Sequence, residues 1–148
     1  MLIEEMTRDA SLEFLARKRV GCLACARDAQ PYITPFYFAP AEDWLYSFST
    51  VGKKIEWMRT NPLVCVEVDE VEAPQKWLSV IVFGRYEELP KEPEYETARQ
   101  LAYFLLQQRP MWWEPAYVKT FLHGEERDLE PVYYRIYISA ISGHRAVP

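Results

Sequence analysis

Two extended runs in the middle of the chain constrain its fold most. From Leu63 to Val71, Val64, Val66 and Val68 alternate with Cys65, Glu67 and Asp69, the period of two that marks a half-buried β-strand. From Trp77 to Leu89 a longer run follows, and between Trp77 and Phe83 it is apolar at odd and even positions alike. A strand apolar on both faces is expected to be covered on both.

Shorter elements surround this pair. Thr7–Arg19 has helical spacing, with Leu12, Leu15 and Ala16 on one face and Asp9 or Ser11 as the cap. Val20–Arg27 and Pro31–Ala39 read as a hairpin turning at Asp28-Ala29-Gln30, and Trp44–Ser49 as a further strand. A helix over Lys53–Thr60 stops at Asn61-Pro62, because a residue before proline avoids the α region. Pro93–Arg109 repeats its apolar residues at helical spacing, and Val132–Ile141 is the last strand. The Pro110–Pro131 segment fits no period. Its adjacent Trp112 and Trp113 read either as one packed and one helix-borne ring, or as an exposed patch covering a ligand or a second subunit. Six strands with two or three helices predict a mainly β fold, a six-stranded antiparallel barrel of Greek-key type with flanking helices. A chain of 148 residues is long enough to form it as one domain, residues 1–148.

Charge and cysteine usage exclude several classes. With 17 basic against 22 acidic residues the net charge is −5, without the basic footprint that nucleic-acid binding needs. No charged-then-apolar leader and no apolar run long enough to cross a bilayer is present, so the expectation is a soluble, cytoplasmic protein with no membrane partner. Three cysteines, an odd number, argue against a secreted disulfide framework. Cys22 and Cys25 form a CxxC, but residues three apart on a strand point to opposite faces, so small core residues are the better reading. His123 and His144 have no companion at metal-ligand spacing, and no metal site is expected.

Chemistry concentrates between Ser47 and Pro62. A strand bearing Ser47, Ser49 and Thr50 runs into a helix that opens Gly52-Lys53-Lys54. Helix N-termini favour anions, so acidic residues belong in the first turn, and two lysines there are out of place unless an anion arrives. One reading is a bound phosphorylated ligand; the other is a solvated lysine pair on a surface turn. No serine–histidine–acid or paired-carboxylate constellation stands out, which suits an enzyme whose reactive group is a cofactor.

An ordered set of short motifs adds a family resemblance. Gly21-Cys22-Leu23-Ala24, Pro31-Tyr32-Ile33-Thr34-Pro35, Leu45-Tyr46-Ser47-Phe48-Ser49, Gly52-Lys53-Lys54 with Arg59-Thr60-Asn61-Pro62, and Trp77-Leu78-Ser79-Val80 with Gly84-Arg85 occur in that order. Together they resemble the FMN-binding split-barrel superfamily, in the branch of pyridoxamine 5′-phosphate oxidase-like and nitroimidazole-resistance-like proteins. The resemblance implies a split barrel that forms a homodimer, with FMN in each of two clefts between the subunits. It implies that Lys53 and Lys54 grip the FMN phosphate, with Arg59 a weaker candidate there. Ser47, Ser49 and Thr50 would contact phosphate and ribityl, and Ile33, Thr34 and Pro35 would run along the ring. Trp77, Ser79 and Val80 would lie near the flavin from one side, and His144 or Arg145, just past the last strand, would close the cleft.

The implied activity is that of an FMN-dependent oxidoreductase, taking electrons from a reduced nicotinamide (NAD(P)H) or related donor and passing them to a small organic acceptor. Trp77, Trp112 and Trp113 would shape the acceptor pocket. A flavin-binding or redox-sensing module without turnover, and the same barrel carrying heme or a deazaflavin, are the alternatives. Two departures stand out: Leu78 occupies a position where related sequences often carry a basic residue, and Pro110–Pro131 is unlike the substrate region of true pyridoxamine phosphate oxidases.

Overall fold

A computed structural model of the chain describes residues 1–108, 120–122, 125–127 and 131–148. The order of elements is β1 (Leu2–Glu5), α1 (Arg8–Arg17), β2 (Val20–Arg27), β3 (Gln30–Tyr37), β4 (Ala39–Ala41), β5 (Trp44–Thr50), α2 (Lys53–Thr60), β6 (Leu63–Ala73) and β7 (Lys76–Glu88). A 3-10 turn (Pro93–Tyr95), α3 (Glu96–Gln107), β8 (Thr120–Leu122), β9 (Glu125–Arg127) and β10 (Pro131–Val147) complete it.

Eight strands form one antiparallel sheet, in the order β3-β2-β6-β7-β10-β5-β4 with β1 also paired to β10, while β8 and β9 pair separately. The expected architecture is therefore present, with eight strands in the main sheet rather than six. The additions are β1 and β4, four and three residues long, too short to show a period.

The sheet curls on itself. β3 and β10 are four steps apart, roughly 19 Å if the sheet were flat, yet the rings of Phe36 and Tyr134 lie 6.3 Å apart. One core fills the interior: Leu23, Phe36, Leu45, Val64, Val66, Val68, Val80, Val82, Tyr134 and Ile136 from six strands, closed by Phe14 and Leu15 of α1 and Ile55 and Met58 of α2. A smaller core lies under α3, around Leu89, Ala102 and Leu106. The pairings leave the sheet open, with β3 and β4 as its two ends.

Local chemistry explains the boundaries. Thr7 caps α1 by accepting from the Ala10 amide at 3.1 Å, in place of the expected Asp9 or Ser11. The β2–β3 hairpin turns on Asp28 and Ala29, both at positive φ, the two-residue turn whose twist matches the strands. β10 runs to Val147 rather than Ile141, so His144 and Arg145 lie within the strand and not beyond it. A bulge between Ile138 and Ala140 shifts its register on β7 and lets it bend.

The doubly apolar strand β7 is covered on one face only. Val80 and Val82 are buried in the core, whereas Ile81 and Phe83 are 37% and 58% exposed on the outer face. Ile33, on the same side of β3 by register, is 65% exposed.

Candidate functional site

The lysine-bearing helix is built where the sequence places it. α2 spans Lys53–Thr60, packs Ile55 and Met58 into the core, and is stopped by Asn61, whose amide bonds the Trp57 carbonyl while its side chain donates to the Ala26 carbonyl at 3.1 Å. Its opening residue Gly52 provides no side-chain cap, so no side chain of its own satisfies the first-turn amides. A Cβ added at Gly52 would meet nothing within 4 Å, so the space before the helix is open.

The two lysines face different surroundings. Lys53 is exposed, and its Nζ lies 5.3 Å from the Tyr32 ring centroid and 5.9 Å from that of Trp57. Lys54 is half-buried, and burial pulls its ammonium below the ordinary lysine value, partly countered by the nearby Cys25. Burial likewise pushes the Cys25 thiol up, against the pull of Lys54. Among the described residues no carboxylate forms an ion pair with Lys54. A partly desolvated cation without a counter-ion is costly, and a bound anion would relieve that cost.

The other expected ligands divide. Ser49 and Thr50 are half-buried at the end of β5, just before α2. Ser47 is buried, and its hydroxyl donates to the Tyr37 carbonyl at 2.6 Å, so this donor is already committed inside the fold. Ile33 and Pro35 are exposed on the outer face of β3, while Thr34 is half-buried on its other face. Arg59 is taken by Glu88, 2.7 Å away, which also accepts from the Tyr86 hydroxyl at 2.7 Å. Burial raises the Glu88 carboxyl, but these two hydrogen bonds outweigh it and hold the group below its usual range.

Trp77, Ser79 and His144 form a second group at the other end of the sheet. His144 pairs with Ser79 and Glu5, and Ser79 donates to Glu67 at 3.4 Å. Burial, then the neighbouring Asp69, raises the Glu67 carboxyl. Val80 points into the core and is fully buried, so its side chain does not face any ligand. Arg145 is held by Glu4 at 3.1 Å.

Tyr32 is level with Cys25, beside Val64, whereas Trp77 pairs with Val71. Seven residues of strand separate the two rows, roughly 24 Å. Ser79 and His144 lie two residues nearer, level with Asp69, so the two groups stand apart on one copy of the chain.

Cys22 is half-buried and Cys25 buried, on opposite faces of β2 as the spacing predicts, and neither forms a disulfide. Among the described residues no cluster of histidine, cysteine and acidic side chains could hold a metal ion. Trp112, Trp113 and His123 lie outside the described residues. Sequence reasoning missed Tyr32, Trp57 and Arg27, which gather around Lys53; the one available signal was the four-residue step from Lys53 to Trp57, one helical turn.

Comparison with known proteins places these features in a family. A family model described as pyridoxamine 5′-phosphate oxidase matches residues 7–145. An uncharacterised protein of Rhizobium meliloti (strain 1021) is 41% identical over 119 residues, 80% of this chain and 79% of that one. The crystal structure of a FAD-binding protein from Mesorhizobium loti is 40% identical, covers 100% of this chain and 99% of its own, and superposes with a TM-score of 0.81. A FAD-binding protein from Mycobacterium smegmatis shares the fold, with a TM-score of 0.67 at 17% identity over 99% of this chain and 98% of that one.

Proposed function

The chain belongs to the pyridoxamine 5′-phosphate oxidase family, and from that premise we propose that it is a flavin-binding oxidoreductase that holds FMN by its phosphate at the start of α2. The observation that carries this reading is Lys54, half-buried, lowered in pKa by burial and without a carboxylate partner among the described residues, beside an uncapped first turn. The donor set suits a phosphate: two ammonium groups, first-turn amides, and the hydroxyls of Ser49 and Thr50 at the end of β5. Ile33 and Pro35 present an exposed, mostly apolar strand face of the kind a planar ring needs.

When bound, the flavin supplies the electron transfer between a reduced nicotinamide donor and a small organic acceptor. The chain's part is to anchor the phosphate, to position the ring on the β3 face and to keep water from it. Excluding water requires a second wall, because Ile33 is largely open in the single chain. A homodimer supplies that wall: the exposed apolar face of β7 is the natural contact, and a two-fold partner brings its own Trp77, Ser79 and His144 toward the lysine end.

A second reading, FAD in place of FMN, is favoured by the Mesorhizobium loti structure, which is described as FAD-binding and is 40% identical. The test is an absorption spectrum of freshly purified protein, followed by release and identification of any chromophore. Flavin bands with FMN in the supernatant support the first reading, and FAD there supports the second. A colourless protein that also fails to take up either flavin overturns both, and a sharp Soret band replaces them with heme.

A further inference from the structure

Beside the phosphate-binding turn lies a group of side chains that phosphate binding leaves unused. The rings of Tyr32, on the β2–β3 hairpin, and Trp57, one turn along α2 from Lys53, have centroids 5.5 Å apart and planes inclined at 56°, forming a corner. The Lys53 ammonium lies over both rings, and the Arg27 guanidinium lies 5.1 Å from the Trp57 ring. Neither cation has a carboxylate within ion-pair distance among the described residues, although acidic residues outnumber basic ones by 22 to 17. Lys53 belongs to both places: its backbone opens the first turn of α2, and its ammonium reaches the aromatic corner.

We propose that the Tyr32–Trp57 corner, with Arg27 and Lys53, is a subsite for the adenosine-monophosphate half of a flavin dinucleotide, a proposal that rests on the flavin reading above in its FAD form. Two inclined rings offer one face for stacking a purine and one edge for a tilted contact, and base–aromatic stacking needs no particular base edge. The guanidinium suits bidentate pairing with phosphate oxygens, and the ammonium adds a point charge between this corner and the α2 turn. The chemistry asked of the ligand is a planar base joined through one further phosphate to the FMN phosphate at that turn, which is the adenosine-monophosphate half of FAD and is lacking in FMN.

The test compares dissociation constants for FAD, FMN and AMP in wild-type protein and in Trp57→Leu, Trp57→Phe and Arg27→Gln. Flavin and tryptophan fluorescence report binding, and thermal midpoints of the unliganded proteins check folding. Wild type is expected to bind FAD about tenfold or more tighter than FMN, a ratio within reach of one stacked base. Trp57→Leu and Arg27→Gln should each abolish most of that preference and leave FMN affinity within about twofold, while Trp57→Phe, which keeps a ring, retains it. AMP should displace FAD but not FMN.

Equal affinity of the wild type for both flavins would overturn the subsite and leave FMN binding intact. Equal weakening of both flavins in Trp57→Leu would also overturn it, because the ring then serves only to support α2. Should neither flavin bind, the flavin reading itself falls, and AMP decides the corner: quenching in wild type that Arg27→Gln weakens supports a nucleotide subsite, and no quenching overturns it.

Discussion

Lys53 and Lys54, adjacent in sequence, diverge at the first turn of α2: the first lies out over the Tyr32 and Trp57 rings, and the second is half-buried near Cys25. Consecutive helical residues point about 100° apart, so the pair cannot share one environment. Lys53 gains from its rings whether or not a ligand is present. Lys54 bears a desolvation cost that only a counter-ion removes. The two are therefore unequal partners in any phosphate site.

Opposite effects on stability and on binding follow from that inequality. Lys54→Met should raise the thermal midpoint of the unliganded protein, because a partly buried charge with no ion-pair partner among the described residues is replaced by an apolar chain of similar length, and should weaken FMN at the same time. Charge-assisted hydrogen bonds contribute about 1.5–3 kcal/mol each, so Lys53→Ala with Lys54→Ala should weaken FMN by roughly two to four decades. Thermal melts with and without FMN read both signs. Full FMN occupancy in the double variant would refute the phosphate assignment.

The lowered Lys54 value also sets a pH dependence. In the free protein burial drives its proton off below the ordinary lysine range, whereas a bound phosphate dianion holds the proton on. Across the window beneath about 10.4 the complex therefore carries more protons than the free protein, and affinity falls as pH rises. The unfolded chain likewise carries more protons there than the unliganded fold, so Lys54 makes unliganded stability rise with pH in that window. Titrating FMN between about pH 7 and 10 should show the decline in wild type and a flatter profile in Lys54→Met. Identical profiles would remove Lys54 from the site.

At Gly84 an added Cβ would lie 2.5 Å from both Ile136 Cγ2 and the Tyr137 carbonyl oxygen, so β7 and β10 approach each other through a position with no side chain. Gly84→Ala must push β10 away just before its bulge at Ile138/Ala140. Overpacking of this kind costs about 1–3 kcal/mol. Urea unfolding should show the loss in the midpoint with little change in slope; an unchanged midpoint would mean that the strands yield freely there.

Much of this frame was legible in the residues, and what was not has identifiable causes. The bounds of β2 and α2 were readable because the turn at Asp28-Ala29-Gln30 ends the first and Asn61-Pro62 stops the second. β1 and β4 were not, since an edge strand of three or four residues has no repeat to detect. The end of β10 was misplaced because Ser142 and His144 face outward and interrupt the apolar pattern while the ladder continues to β1 and β7. At the site, the hydroxyls of Ser47 and Ser49 look alike in sequence; only the fold shows that Ser47 is spent on the Tyr37 carbonyl. Arg27, Tyr32 and Trp57 come from three elements, and nothing local announces that they meet.

The exposed face of β7 gives the last prediction. Phe83 and Ile81 project from it at 58% and 37% exposure, level with Cys65 and Glu67 of β6, and Ile33 of β3 extends the apolar area. A face this apolar is normally covered. The split of the candidate residues, Lys53 and Lys54 at one end and Trp77, Ser79 and His144 roughly 17–24 Å of strand away toward the other, has a physical resolution if a second copy lies antiparallel across it. Sedimentation should then show a dimer for wild type and a monomer for Phe83→Glu, because an unpaired carboxylate at the centre of an apolar contact is strongly disfavoured. The monomeric variant should also lose FMN affinity, although Phe83 is far from the α2 turn in sequence. A wild type that sediments as a monomer would sink the dimer and assign both ends of the sheet to separate tasks.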